Sequence, residues 1–465
     1  MVKLFILHSA FRIPHLDDPF SPEISLYEQK HQTQPKTMKT KLIQTTGPRD
    51  YRTTGLNIAM KTPPLLTLLT LPALLTLFTL LGPVPASAQT WQTIDDFQYA
   101  PGLWTDAIGV TCDPSGNVWV AGWGAEPGTP AYHGLVQKSA DGGNTWSLSD
   151  DFSTGGTGGT FVYGMTPDFL GNLYYVGYQA HGGPLWFTRQ STDGGLTWNT
   201  VDTLGYSDHA HSVATDSYGN VYVAGWGGNG NGTNSWTVRK GANFGASWQT
   251  VDSLGTNNSS SAYGVFCYPP TQRIFVTGIA QVSTTNPQNG KVTTQAYWTT
   301  RRSTDGGVTW ANVDASVSGT GYGVGADAFG NIYAVGSSGI RKGVNGGASW
   351  STVDNFYYCV TTTSSKPPYT TSTQCYGGGA ANAFAMDPNG NLFAVGYAST
   401  PSGAVWLVKE SPGGTGAWTT VDAFQYVPGK GSFAKAVVSD AAGHVYVAGL
   451  AEDASGVNHW IVRKH

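Results

Sequence analysis

The sequence predicts an all-β fold, a seven-bladed β-propeller with its N-terminal strand completing the last blade. Three observations carry that prediction. The composition suits tight turns, one short phrase recurs seven times, and the two chain ends together make up one further repeat.

Of 465 residues, 62 are Gly, 16 Trp and 23 Tyr, while only 12% are charged. Such a chain is poorly suited to a coiled coil, a helical bundle or a disordered acidic tail. It suits short strands joined by turns in which Gly supplies backbone angles that other residues resist. The formal net charge of −4 gives no basic footprint, so nucleic acid is not an expected partner.

The recurring phrase is GNVWVAG (116–122), GNLYYVG (171–177), GNVYVAG (219–225), QRIFVTG (272–278), GNIYAVG (330–336), GNLFAVG (390–396) and GHVYVAG (443–449). Its copies lie 48 to 60 residues apart, and each unit holds four strand-like runs, which is the pattern of a propeller blade. A first run leads through a D-x-x-G-N turn into the phrase. A third run carries Trp and a basic pair, as in Trp236, Arg239 and Lys240, and a fourth opens on Trp and closes on V-D, as in Trp248 to Asp252. The seventh unit stops at His465 without a fourth run. The missing run is found at the other end, where Trp91-Gln92-Thr93-Ile94-Asp95 matches Trp248-Gln249-Thr250-Val251-Asp252. The N-terminal strand is therefore expected as the outer strand of the last blade, which pairs the chain ends and removes an open seam.

The residues before that strand read as processing segments. Residues 60–88 have a Met-Lys start, an apolar run over 65–81 and Ala86-Ser87-Ala88, the zones of a secretory signal peptide. Residues 1–59 are expected to be a disordered upstream extension ahead of a true start at Met60. This leaves 89–465 as a single domain in a secreted, periplasmic or extracellular protein. That domain holds 16 Lys and Arg against 24 Asp and Glu, a formal −8. A monomer is expected, touching a membrane only through the signal segment if that segment stays uncleaved.

A second signature joins the third and fourth runs: SADGGNTW (139–146), STDGGLTW (191–198) and STDGGVTW (303–310), with degraded copies in three other units. It resembles the Asp-box (BNR repeat) of the sialidase-like and sortilin-like β-propellers, across all of 89–465. The box serves enzymes and binders alike. Its residues have a structural logic: Asp141, Asp193 and Asp305 are expected to accept hydrogen bonds from turn amides and the following Thr hydroxyl. Trp146, Trp198 and Trp310 are large enough to plug the gap between blades.

The resemblance places ligands on the face made by the inter-blade loops and by the connections between second and third runs. Trp104 and Tyr99, Tyr163, Tyr206, Tyr263, Tyr322, Tyr357 and Tyr426 are expected there from inter-blade loops. Trp123, Tyr178, Trp226 and Tyr397, each following the last Gly of the phrase, join them. Of these, Trp104, Trp123, Tyr178, Trp226 and Tyr397 are the candidate ligand-binding residues, since flat rings among Asn, Ser and Gly suit a glycan or a protein segment.

Catalysis has weaker support. A sialidase-like enzyme would need an arginine triad, yet Arg189, Arg239, Arg302, Arg341 and Arg463 occupy the repeated third-run place, with Arg301 as a neighbour. The candidates are Asp208, His209 and His211, a compact polar cluster whose two imidazoles share one side of an extended segment, and Glu126. A glycosidase needs two carboxyls flanking one bond, and nothing in the sequence pairs them. The reading is thus a non-catalytic binding or scaffold propeller, with a glycoside hydrolase or an assembly factor of a larger complex as alternatives. No cofactor is expected. No metal is either, since no C-x-x-C occurs and no third ligand joins the histidines. Cys359 and Cys375, flanking a Thr/Ser/Pro-rich insertion, are expected to form a disulfide.

Overall fold

The computed structural model describes residues 90–465, apart from 154, 156–157, 181–182, 229, 231, 256–257 and 270. The proposed upstream extension and signal segment lie outside the described residues.

Seven four-stranded antiparallel sheets form the blades. Their inner strands are Thr105–Cys112, Thr160–Pro167, His209–Thr215, Ser260–Tyr268, Gly321–Ala326, Ala380–Met386 and Ser432–Ser439, and together they line a central channel. In blades 1 to 6 the four strands follow in chain order. Blade 7 takes its outer strand from the other end of the chain, with Gln92–Phe97 pairing antiparallel to Asn458–Lys464. Gln92 faces Lys464 and Phe97 faces Trp460, so the ring closes as the repeat arithmetic required. An extra hairpin, Tyr358–Thr363 with Thr371–Tyr376, stands between blades 5 and 6 and carries the Cys359–Cys375 disulfide.

The last Gly of each phrase has one cause in all seven blades. A Cβ on Gly225 would lie 2.0 Å from the His209 carbonyl oxygen of the inner strand. Gly122, Gly177, Gly278, Gly336, Gly396 and Gly449 would make the same clash at 1.9 to 2.1 Å. Each of these glycines lies at a β-bulge of the inner strand, between Ala210 and Ser212 in blade 3, and a side chain would force the two strands apart. The third-strand tryptophans fill the space beyond: Trp186, Trp236, Trp298, Trp406 and Trp460 are fully buried. The Trp186 ring would lie 2.5 Å from a Cβ on Gly225, so one blade's indole packs under the next blade's glycine. The box tryptophans are only half-buried. Two of them still reach across a seam, Trp146 donating to the Ile94 carbonyl at 3.2 Å and Trp198 to the Ser149 hydroxyl at 3.2 Å.

Basic residues of the third strands tie neighbouring blades together. Arg189 pairs with Asp150, Arg239 with Asp202, Arg301 with Asp252, Arg341 with Asp314, Lys409 with Asp354 and Arg463 with Asp422, at 2.5 to 3.0 Å. Each carboxylate lies on the outer strand of the preceding blade. In blade 4 the structure corrects the sequence reading. Arg301 holds the repeated position, and its neighbour Arg302 instead donates to the Gly346 carbonyl at 2.7 Å. The bulge between Thr300 and Arg301 sets this register, as it does before every equivalent residue.

The seventh seam, from blade 7 to blade 1, differs. Asp95 stands where the other carboxylates stand, opposite Val462. The matching third-strand place is held by Gln137, which pairs with Leu148 after the same bulge. Gln137 is 3% exposed, and its Nε2 and Asp95 Oδ2 are buried without hydrogen-bond partners. Burial first, and the neighbouring Asp96 charge second, push the Asp95 carboxyl up to about 7.

Candidate functional site

The inner-strand bulges build the site. Each turns one side chain into the channel: Ile108, Tyr163, His211, Tyr263, Tyr322, Asn382 and Lys435, one per blade, all half-buried. These seven, with Ala380 and Tyr397, line the channel mouth, a cavity of about 350 Å³. Tyr163, Tyr263 and Tyr322 therefore sit on inner strands, and their expected placement on inter-blade loops is corrected. The bulge explains the misreading, because it interrupts the two-residue alternation by which a strand is recognised.

Two residues nearer the loop face, Asp106, Phe161 and His209 stand opposite Trp123, Tyr178 and Trp226 of the second strands. Tyr132, Trp123, Phe161, Tyr178, His209 and Trp226 form a continuous tract of rings. Centroids are 5.2 Å apart from Tyr132 to Trp123, 5.5 Å from Trp123 to Phe161, 5.1 Å from Phe161 to Tyr178, 3.8 Å from Tyr178 to His209 and 4.1 Å from His209 to Trp226. A second row follows the channel ring, with Tyr163 to His211 at 4.9 Å, His211 to Tyr263 at 4.8 Å and Tyr263 to Tyr322 at 5.7 Å. The rows meet where Tyr163 stacks on Tyr178 at 5.9 Å and His209 on His211 at 6.1 Å. Every ring of both rows is half-buried, leaving part of its surface open. The tract covers blades 1 to 3 and its inner row reaches blade 5. Tyr397 lies across the mouth, edge-on to Phe433 at 5.0 Å.

The two imidazoles of the Asp-His-Ala-His cluster thus serve as ring members. Burial lowers His209 to about 4, and burial with the His209 charge lowers His211 to about 3. Both are neutral at physiological pH, and His211 Nε2 is buried without a partner. Asp208 does not join them. It is 6% exposed and accepts the Gly228 amide at 2.8 Å, fixing the second-strand connection, while burial raises its pKa. Glu126 lies off the tract beside Trp104, which is 49% exposed, and accepts the Thr129 hydroxyl at 2.8 Å.

Sequence reasoning missed Asp106 and Lys435 as neighbours. Asp106, 5% exposed, accepts the Asn458 amide at 2.9 Å; burial pushes it up to about 6, opposed by Lys435. Burial lowers the Lys435 ammonium, with Asp106 opposing. One carboxyl of this kind can hold or release a proton near neutrality. The residues lining the mouth include no Asp or Glu to work with it. Five of the seven arginines of the domain are committed to seam ion pairs, and no group of three or more His, Cys, Asp or Glu that could hold a metal occurs among the described residues.

The box carboxylates are bound into their turns. Asp193 Oδ1 accepts the Ser191 hydroxyl at 2.8 Å and the Leu196 and Thr197 amides at 3.1 and 2.9 Å, while Oδ2 accepts the Thr197 hydroxyl at 2.6 Å. Asp141 and Asp305 repeat this set. The Thr hydroxyl, foremost among these bonds, holds all three near 2.

Residues 185–232 match a family described as a β-propeller repeat, SBBP. No curated protein matches the chain. Among solved structures it is similar to YCF48 bound to a D1 peptide, with 12% identity and a TM-score of 0.46 over 81% of this chain and 97% of that one. It is also similar to the α-L-arabinofuranosidase of Fusarium graminearum with arabinobiose, with 11% identity and a TM-score of 0.42 over 80% and 97%. A third is the Penicillium chrysogenum α-L-arabinanase with arabinobiose, with 14% identity and a TM-score of 0.43 over 80% and 97%.

Proposed function

We propose that this protein is an exported, non-catalytic binding propeller of the Asp-box kind, holding a glycan on the aromatic tract of its loop face. The observation that carries the reading is the unbroken row of half-open rings from Tyr132 through Trp123, Phe161, Tyr178 and His209 to Trp226. The row offers a continuous apolar strip of ring edges and end faces to the C–H surfaces of successive sugar rings, and the neutral imidazoles offer hydrogen-bond donors and acceptors without charge. A protein segment is the second reading for the same surface, and the array separates the two. The absence of any Asp or Glu among the described residues lining the channel mouth supports binding over glycoside hydrolysis, which takes a carboxyl pair. The three box turns with matching hydrogen-bond sets support the Asp-box kinship, and the signal-like residues 60–88 support export of 89–465 as one domain.

The test is a panel of neutral oligosaccharides and peptides printed on one array and probed with the protein and with Trp226→Ala. Retention on oligosaccharides, lost in the variant, supports the reading. Retention on peptides alone overturns the glycan assignment. Turnover of a glycoside that is lost in Asp106→Asn overturns the non-catalytic one.

A further inference from the structure

A second pocket on the loop face, about 530 Å³, lies beside blade 1 and outside the channel mouth. Trp104, Glu126, Thr129 and Tyr132 contribute its functional side chains, and no Lys or Arg lines it. The Ala125 amide donates to the Trp104 carbonyl at 2.9 Å and the Glu126 amide to that of Ala131 at 3.0 Å, so backbone bonds anchor the two segments that carry the indole and the carboxylate. The Glu126 side chain is 39% exposed. Its Oε2 accepts the Thr129 hydroxyl and stands 3.7 Å from His133 Nε2, whereas Oε1 has no partner among the described residues. Tyr132 belongs to both features, lining this pocket and standing edge-on to Trp123 as the first ring of the tract.

From this geometry we infer that the pocket is a subsite for a primary ammonium group on the ligand that occupies the tract, an amino sugar at one end of the glycan. The inference rests on the tract reading above. An open carboxylate oxygen takes a charge-assisted hydrogen bond from an ammonium, and the faces of an indole and a phenol attract the same cation. A neutral hydroxyl in its place offers the carboxylate only a hydrogen bond without a charge. A lysine side chain carries the same group, so the test includes that source.

The experiment is calorimetric titration of the protein at pH 6 with a glucosamine tetramer, its fully N-acetylated counterpart and Nα-acetyl-lysine amide. The glucosamine tetramer is expected to bind at least tenfold more tightly than the N-acetylated one. Glu126→Gln should erase that gap while leaving the N-acetylated affinity within twofold, and Trp226→Ala should weaken both tetramers alike. Equal affinities, or a gap that survives Glu126→Gln, overturn the ammonium subsite and leave the tract reading standing. Lysine amide binding that depends on Glu126 while neither tetramer binds supports the ammonium site, assigns it to a protein ligand and sinks the glycan reading. If no probe binds, both fall.

Discussion

Replacing Gln137 by Arg gives the closing seam the cation that the other six seams possess. In the wild-type protein the Asp95 carboxyl, pushed up to about 7 by burial and Asp96, keeps its proton in the folded state while the unfolded chain has already lost it. Between its ordinary value of 3.8 and about 7, the folded state therefore binds more protons than the unfolded state, and stability falls as pH rises. At about 1.4 kcal/mol per pH unit, the full penalty is about 4 kcal/mol, present above pH 7 and absent below pH 4. A guanidinium at Gln137 favours the ionised carboxylate. It does not cancel the whole cost, because burial still raises Asp202 and Asp422 despite their Arg partners. The stability difference between Gln137→Arg and wild type should therefore grow by about 2–4 kcal/mol from pH 4 to pH 8. Urea unfolding followed by tryptophan fluorescence at a series of pH values measures it, with Asp95→Asn as a control that should lose the wild-type decline. A difference that stays constant over that range would refute the idea that Asp95 is a buried carboxyl lacking a counter-ion.

Other outcomes follow from the same geometry. Arg463→Ala leaves Asp422 buried without its partner and should cost about 3–5 kcal/mol, read from the unfolding midpoint. Gly225→Ala drives a Cβ toward the His209 carbonyl at 2.0 Å, so it should lower the thermal midpoint sharply and weaken ligand binding with it; an unchanged midpoint contradicts the bulge argument. Reduction of Cys359–Cys375 removes about 3 kcal/mol of loop constraint in the chain-entropy picture. Because the bridge lies in its own two-stranded sheet, hydrogen exchange should rise over 358–376 and stay unchanged in the blades.

The ring was legible because its signals are local and repeated. The phrase fixes each second strand, and Trp91 to Asp95 match an outer strand closely enough to show where the chain closes. The bases and acids of the seams were visible as repeated residues, but Arg463 and Asp422 sit in different blades and no local pattern joins them. The one exception, Gln137 opposite Asp95, has meaning only once the other six pairs are seen. The channel ring stayed hidden for a different reason. Its residues differ from blade to blade, and the bulge breaks the alternation that marks a strand. A signal was nonetheless present in small neighbours in six of the seven blades, as in Ala210-His211-Ser212, Gly321-Tyr322-Gly323 and Ala434-Lys435-Ala436. Trp123, Tyr178 and Trp226 were visible as a set because they follow the repeated Gly. The rings that join them, Phe161 and His209, lie on the partner strand and become neighbours only through cross-strand register.

The most direct test of the account is a crystal structure of the protein soaked with the oligosaccharide that it retains most strongly. Sugar rings stacked along Trp123, Tyr178 and Trp226 on the loop face are the expected result. A sugar held on the opposite face, among the box turns of Asp141, Asp193 and Asp305, would contradict it.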